Sequence, residues 1–168
     1  MSNNYALITG ASSGIGLEIA KCLAEKKYNV ILTARSEKKL IQFSSEISQN
    51  YGVKSDYIKC DLSEKDAPKM LYDFCESNDY QITILINNAG YALPDLFHFS
   101  PLVDEEKFLR VLSTSVIALT KIFLLEPNVP TFNPVFPTIV ASPYMVIDTL
   151  GRSLDVLFRK PLKKSLVA

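Results

Sequence analysis

The chain has 168 residues, 48% hydrophobic and 21% charged, a balance that fits one ordinary globular domain and excludes a disordered or fibrous protein. Basic and acidic residues number 18 each, so no net field draws a polyanion and nucleic acid is not an expected partner. Cys22, Cys60 and Cys75 are odd in number and lack paired spacing; this speaks against a disulfide framework and a zinc site and fits a reducing compartment, by default the cytoplasm.

The opening MSNNYALITG has neither the basic start nor the long apolar core of an export signal. The most apolar later run, Val116 to Leu125, is interrupted by Lys121 and too short for a bilayer, so a soluble protein without membrane partners is expected.

From Tyr5 to about Leu125, short β-rich runs alternate with longer stretches of helical period, the pattern of βαβ units around a parallel sheet. YALIT reads as the first strand. After TGASSGIG, Thr9 to Gly16, comes a helix whose apolar stripe is Ile15, Ile19, Ala20, Leu23 and Ala24, ending near EKK. NVILTA makes the second strand, and Ser36 stands where it can cap a second helix lined by Leu40, Phe43 and Ile47. VKSDYIKCDL supplies the third strand, and Ala67, Met70, Leu71, Phe74 and Cys75 carry a third helix. ITILI is nearly all apolar, as in a strand buried on both faces. A long helix from about Asp104 to Leu125 follows. The expected fold is α/β, a doubly wound parallel sheet of Rossmann-like type shortened after the fourth strand and its helix, in a single domain over residues 1–168.

Composition changes after Leu125. Pro127, Pro130, Pro134, Pro137, Pro143 and Pro161 are six of the nine prolines, and each removes a backbone donor and restricts φ. Residues 126–142 therefore read as a proline-rich linker. Beyond it Ser142 is a good N-cap with Pro143 at the first helical position, and Val146, Ile147, Leu150, Leu154, Leu157 and Phe158 recur at helical spacing, predicting a helix over 143–160 despite Gly151.

Gly10, Gly14 and Gly16, placed between a strand and a helix, let backbone N–H groups and a helix N-terminus meet a phosphate. ILTARS closes the second strand, CDL at Cys60 to Leu62 the third, and NNAG at Asn87 to Gly90 the fourth. Together these motifs, in this order and spacing, resemble the short-chain dehydrogenase/reductase family over about residues 5–125. The resemblance implies a nicotinamide dinucleotide as ligand. It puts the pyrophosphate on the Thr9 to Gly16 loop, with Gly10, Ser12, Ser13, Gly14, Ile15 and Gly16. Asp61 and Leu62 then lie beside the adenine, while Asn88, Ala89 and Gly90 stabilise strand four and the nicotinamide-side ribose. Taken singly, Asp61 reads equally as a helix cap and the asparagines as a polar strand end.

An acidic residue at the end of the second strand would accept hydrogen bonds from the ribose hydroxyls of NAD and repel a 2′-phosphate. That position is Ala34, followed by Arg35. A guanidinium beside an uncharged residue suits a phosphate, so NADP(H) is favoured over NAD(H).

By resemblance the chemistry is carbonyl reduction or alcohol oxidation, in which a tyrosine exchanges a proton and a lysine four residues later lowers its pKa. Four residues after Tyr5, Tyr28, Tyr51, Tyr57, Tyr72, Tyr80, Tyr91 and Tyr144 stand Thr9, Leu32, Ser55, Asp61, Glu76, Ile84, Asp95 and Asp148. No Y-x-x-x-K pair exists, so no catalytic residue is assigned. In STSVIALT, Ser115 replaces the asparagine usual in the family and reads as a packing residue. His98, the one histidine, together with Phe97, Phe99 and Tyr91, would border a substrate entrance or simply pack.

Two alignments of the tail are open. In the first, TIVAS is the family's fifth strand and Ser142 its serine. In the second, preferred because it accounts for the prolines and the final helical period, about 80 residues are lost internally from a usual domain of roughly 250. That loss would leave the edge of the fourth strand to be covered by the linker, by a partner chain such as a second copy, or not at all. The functional readings are an NADP(H)-dependent oxidoreductase acting on a small carbonyl or alcohol, a catalytically silent NADP(H)-binding module, and an interaction protein without coenzyme.

Overall fold

The computed structural model describes residues 4–93, 99–125, 139–142 and 145–147. In chain order these form β1 (Asn4–Thr9), α1 (Gly14–Glu25), β2 (Asn29–Ala34), α2 (Glu37–Tyr51), β3 (Ser55–Lys59), α3 (Ala67–Ser77) and β4 (Gln81–Asn87). Then come α4 (Leu102–Leu109), a π-helical turn over Arg110–Thr114, α5 (Ser115–Leu125), β5 (Ile139–Ser142) and β6 (Met145–Ile147). The strands share one sheet in the order β3-β2-β1-β4-β5-β6. All neighbouring pairs are parallel except β5 and β6. The doubly wound, Rossmann-like architecture is thus the one expected, and its regular βα alternation runs through β4 and the helices after it. No helix among the described residues is long and apolar enough to cross a membrane.

Strand β1 is central, and its side chains alternate between two cores as the two-residue period of a strand requires. Ala6 and Ile8 enter a cluster with Ala20 and Leu23 of α1, Leu32, and Leu40 and Ile47 of α2. Tyr5 and Leu7 enter the opposite cluster with Ile31, Leu71 of α3, Leu85, and Leu119 and Phe123 of α5. Helices therefore cover both faces, as a parallel sheet demands.

Local differences from the sequence reading are instructive. Ser36 precedes α2 but makes no side-chain cap bond; its carbonyl instead accepts from the Leu40 amide at 3.1 Å. The long helix after β4 is interrupted by the π turn, at whose end the buried Ser115 hydroxyl donates to the Val111 carbonyl at 2.9 Å.

The tail requires a correction. Residues 139–142, read as the end of a linker, form β5 and pair with β4 at Ile86↔Ile139 and Asn87↔Val140. Residues 145–147, read as part of a helix, form β6 antiparallel to β5. The first of the two tail alignments, with TIVAS as a fifth strand, matches this pairing. The physical reason is the open edge of β4, whose unpaired amides and carbonyls favour a short β-branched segment in extended form over a lone amphipathic helix. The remainder of the predicted linker (126–138) and of the predicted helix (143–144 and 148–160) lies outside the described residues, as do Phe97 and His98.

At the opposite end of β1 from its glycine turn, the Tyr5 and Tyr80 rings stack with centroids 4.4 Å apart. The Tyr80 hydroxyl donates to the Asp56 carboxylate at 2.5 Å. Burial, followed by the bond and charge of Asp56, holds the Tyr80 phenol well above the usual tyrosine range.

Leu7→Ala, at a position with no solvent exposure, is expected to lower the unfolding free energy by about 2–5 kcal/mol. Ile41→Ala, at 48% exposure, should change it by under about 0.5 kcal/mol; urea titration followed by circular dichroism compares the two. Because Tyr80 is raised in the folded state, its contribution is fully present below the unfolded value of 10.0 and is lost as pH rises through the folded value. Tyr80→Phe should therefore flatten the fall of the thermal midpoint above pH 10, a comparison made by melting both proteins across an alkaline series.

Candidate functional site

Because β1, β2, β3 and β4 are parallel, the loops at their carboxyl ends converge on one edge of the sheet. They line an open cleft of about 430 Å³. Its walls include the loops of β1 and β4, between which the strand order reverses direction. Open α/β sheets bind ligands at such a switch point.

The first loop is shaped by contact rather than by sequence propensity alone. Gly10 has φ of 69°, and a Cβ there would stand 2.8 Å from the Ala89 Cα. At Gly16 a Cβ would collide with the Asn88 amide nitrogen and lie 2.6 Å from the Gly10 oxygen. Only hydrogen fits in either place. Gly14 opens α1, and Ser13 before it is fully extended, with φ −174°, and makes no side-chain cap bond. The first-turn N–H groups of α1 thus have no side-chain acceptor from their own N-cap, which leaves them suited to an anion.

Thr9 and Asn88 bind the first loop to the fourth. The Thr9 hydroxyl donates to the Ile86 carbonyl at 3.2 Å and accepts from the amides of Asn88 at 2.9 Å and Ala89 at 3.0 Å. Asn88 Nδ2 returns bonds to the carbonyls of Thr9 at 3.0 Å and Gly10 at 3.3 Å. Further along the same edge, Ala11 N donates to the Thr33 carbonyl at 3.2 Å and Cys60 N to the Ala34 carbonyl at 3.0 Å.

Of the twelve residues proposed from sequence, Gly10, Ser12, Ser13, Arg35, Asp61, Leu62, Ala89 and Gly90 line the cleft. Gly14, Ile15, Gly16 and Asn88 are not on its lining; Ile15 is 39% exposed, and the two glycines shape the turn. Asn88 acts behind the wall, its side-chain amide donating to the Thr9 and Gly10 carbonyls. Asp61 lines the cleft, and its Oδ1 accepts from the Ser63 amide at 2.9 Å in the turn after β3; it is not a helix cap, the N-cap of α3 being Asp66.

Sequence reasoning did not place Thr33, Ser36, Cys60 and Val111 on this lining, and Tyr91, read as bordering a substrate entrance or packing, lies on it as well. Thr33, Ser36 and Cys60 share a position at or just after a strand end, while Val111 lies in the π turn. The Thr33 hydroxyl is buried without a protein partner among the described residues, a polar atom a ligand or water could satisfy. Burial pushes the Cys60 thiol up to about 11, so at neutral pH it is an uncharged packing group. Arg35 Cζ stands 5.7 Å from the centroid of the Tyr91 ring, and among the described residues Arg35 makes no ion pair. The residues present fit a dinucleotide: amides for a pyrophosphate, an uncharged β2 end, and an unneutralised cation beside it.

Fold and cleft together define the doubly wound nucleotide-binding class. The family model described as short chain dehydrogenase matches residues 4–126, and the chain belongs to this family. It is 32% identical over 125 residues to the very-long-chain 3-oxoacyl-CoA reductase of Candida glabrata, covering 72% of this chain and 35% of that protein. Among solved structures, a short-chain dehydrogenase from Sphingobium yanoikuyae in complex with NADPH matches with a TM-score of 0.66 and 28% identity, over 71% of this chain and 46% of that one. A metagenomic short-chain oxidoreductase in complex with NADP matches with a TM-score of 0.68 and 30% identity, over 74% and 56%. The chain thus spans about a third of the curated relative's length, at 35%.

Gly16→Ala should lower the thermal midpoint and weaken dinucleotide binding at least tenfold, because the backbone of the Gly10 turn must shift to admit the methyl group. Calorimetric melting and a fluorescence titration with the reduced dinucleotide measure the two effects.

Proposed function

We propose that this chain is an NADP(H)-binding domain of the short-chain dehydrogenase family whose cleft takes the coenzyme in one orientation. The amides of the Gly10 to Gly14 loop and the first turn of α1 hold the pyrophosphate. Asp61 and Leu62 lie along the adenine, and Ala89 and Gly90 border the ribose on the nicotinamide side. Arg35, with Ser36 beside it, receives the 2′-phosphate. The observation that carries this reading is Arg35 on the cleft wall, without an ion pair among the described residues and next to Ala34 rather than a carboxylate. The NADPH and NADP complexes of two structural neighbours support it.

When bound, the coenzyme supplies or accepts a hydride, and carbonyl compounds are the substrate class to which the family points. The name of the Candida glabrata relative adds 3-oxoacyl thioesters to that class. No tyrosine in these 168 residues is followed four positions later by lysine, and the buried Ser115 hydroxyl is engaged by Val111. Proton transfer is therefore assigned to no residue of this chain. That favours, as a second reading, coenzyme retention without turnover.

Titration of the full chain with NADPH, followed by nicotinamide fluorescence, should show saturable binding tighter than that of NADH. Arg35→Ala should weaken NADPH by about tenfold or more, as loss of a charge-assisted hydrogen bond implies, and change NADH far less; equal losses would sink the preference. Aldehydes, ketones and 3-oxoacyl thioesters added next distinguish an oxidoreductase, which consumes NADPH absorbance, from a silent module, which does not.

A further inference from the structure

We infer that Tyr91 is a positioning residue for coenzyme choice, its ring holding the Arg35 guanidinium in place for the 2′-phosphate. The inference rests on the NADP(H) reading above and names what makes Arg35 selective. The guanidinium carbon lies 5.7 Å from the ring centroid, within the range of about 6 Å over which a cation is attracted to an aromatic face. The ring is itself anchored: Phe108 of α4 meets it edge-on, with centroids 5.5 Å apart and planes at 81°. Arg35 and Tyr91 both line the cleft.

A platform of this kind has two physical consequences. An exposed arginine samples many rotamers, and ordering it on ligand binding opposes binding; stacking orders it beforehand. A carboxylate could also hold the side chain still, but would neutralise the charge a phosphate must find. An uncharged π face orients the cation and leaves its charge available. Burial raises the Tyr91 phenol, with Asp61, Asp104 and Glu105 adding and Arg35 opposing, so the platform stays neutral around pH 7. The benefit goes to a ligand carrying a 2′-phosphate and hardly to one with a 2′-hydroxyl, so the ring's effect belongs in the ratio of affinities.

The test uses the full chain and measures dissociation constants for NADPH and NADH by fluorescence, and for adenosine 2′-monophosphate by calorimetry. Tyr91→Met, which keeps bulk without a π face, is expected to reduce the NADPH to NADH affinity ratio by about two- to five-fold. Tyr91→Phe, which keeps the face and loses the hydroxyl, should retain it. In an Arg35→Leu background Tyr91→Met should leave the ratio unchanged. Equal weakening of both coenzymes by Tyr91→Met, the same loss in Tyr91→Phe, or a full additional loss in the Arg35→Leu background would each overturn the role. If Tyr91→Met does not fold, Phe108→Leu, which loosens the ring's anchor, should lower the ratio in the same direction; an unchanged ratio counts against the inference. Failure of the parent reading looks different: the unsubstituted chain then binds neither coenzyme, and the role of Tyr91 falls with it.

Discussion

The whole site hangs on the binding of the first strand's turn to the fourth strand's end. Thr9 is 1% exposed, and its hydroxyl has one donor and two acceptor bonds filled, by Ile86, Asn88 and Ala89. Asn88 answers with its amide on Thr9 and Gly10. Buried polar groups satisfied this completely define a single arrangement, since any other leaves donors or acceptors unpaired in a low-dielectric interior. The glycine turn has to pass so close to this lashing that side chains are excluded at two positions, and α1 is thereby started at the cleft. The shape of the first loop is in this sense a property of β4 as much as of its own sequence.

Around that frame the charges are arranged with little compensation. The described ion pairs, Glu18 with Lys21 and Asp73 with Lys69, both lie within single helices. Arg35 stands apart from them on the mouth of the cleft, held by a ring. The Tyr91 phenol that meets it is uncharged, and the carboxylates acting on that ring, Asp61, Asp104 and Glu105, make no ion pair with Arg35 among the described residues.

Family membership and the architecture agree over the same stretch: the matching residues, 4–126, run from β1 to the end of α5. The usual proton-transfer pair is absent from the sequence, and the position where the family carries an asparagine is a serine turned into its own helix at a π turn.

Much of this was legible in the sequence because its causes are local. Apolar period distinguishes strand from helix, a glycine pattern between them marks a phosphate turn, and Ala34 with Arg35 states the charge at a strand end without reference to anything distant. What sequence by itself could not determine lies between residues far apart in the chain. Asn88, expected to stabilise strand four, reaches across to Thr9 and Gly10, 79 and 78 positions away. Tyr91 becomes the seat of Arg35 only once β2 and β4 deliver their ends to one cleft. Ile139–Ser142 becomes strand rather than linker because the open edge of β4 accepts it. Pairing across a sheet satisfies backbone groups by geometry in three dimensions, and that geometry carries no period for a one-dimensional reading to detect.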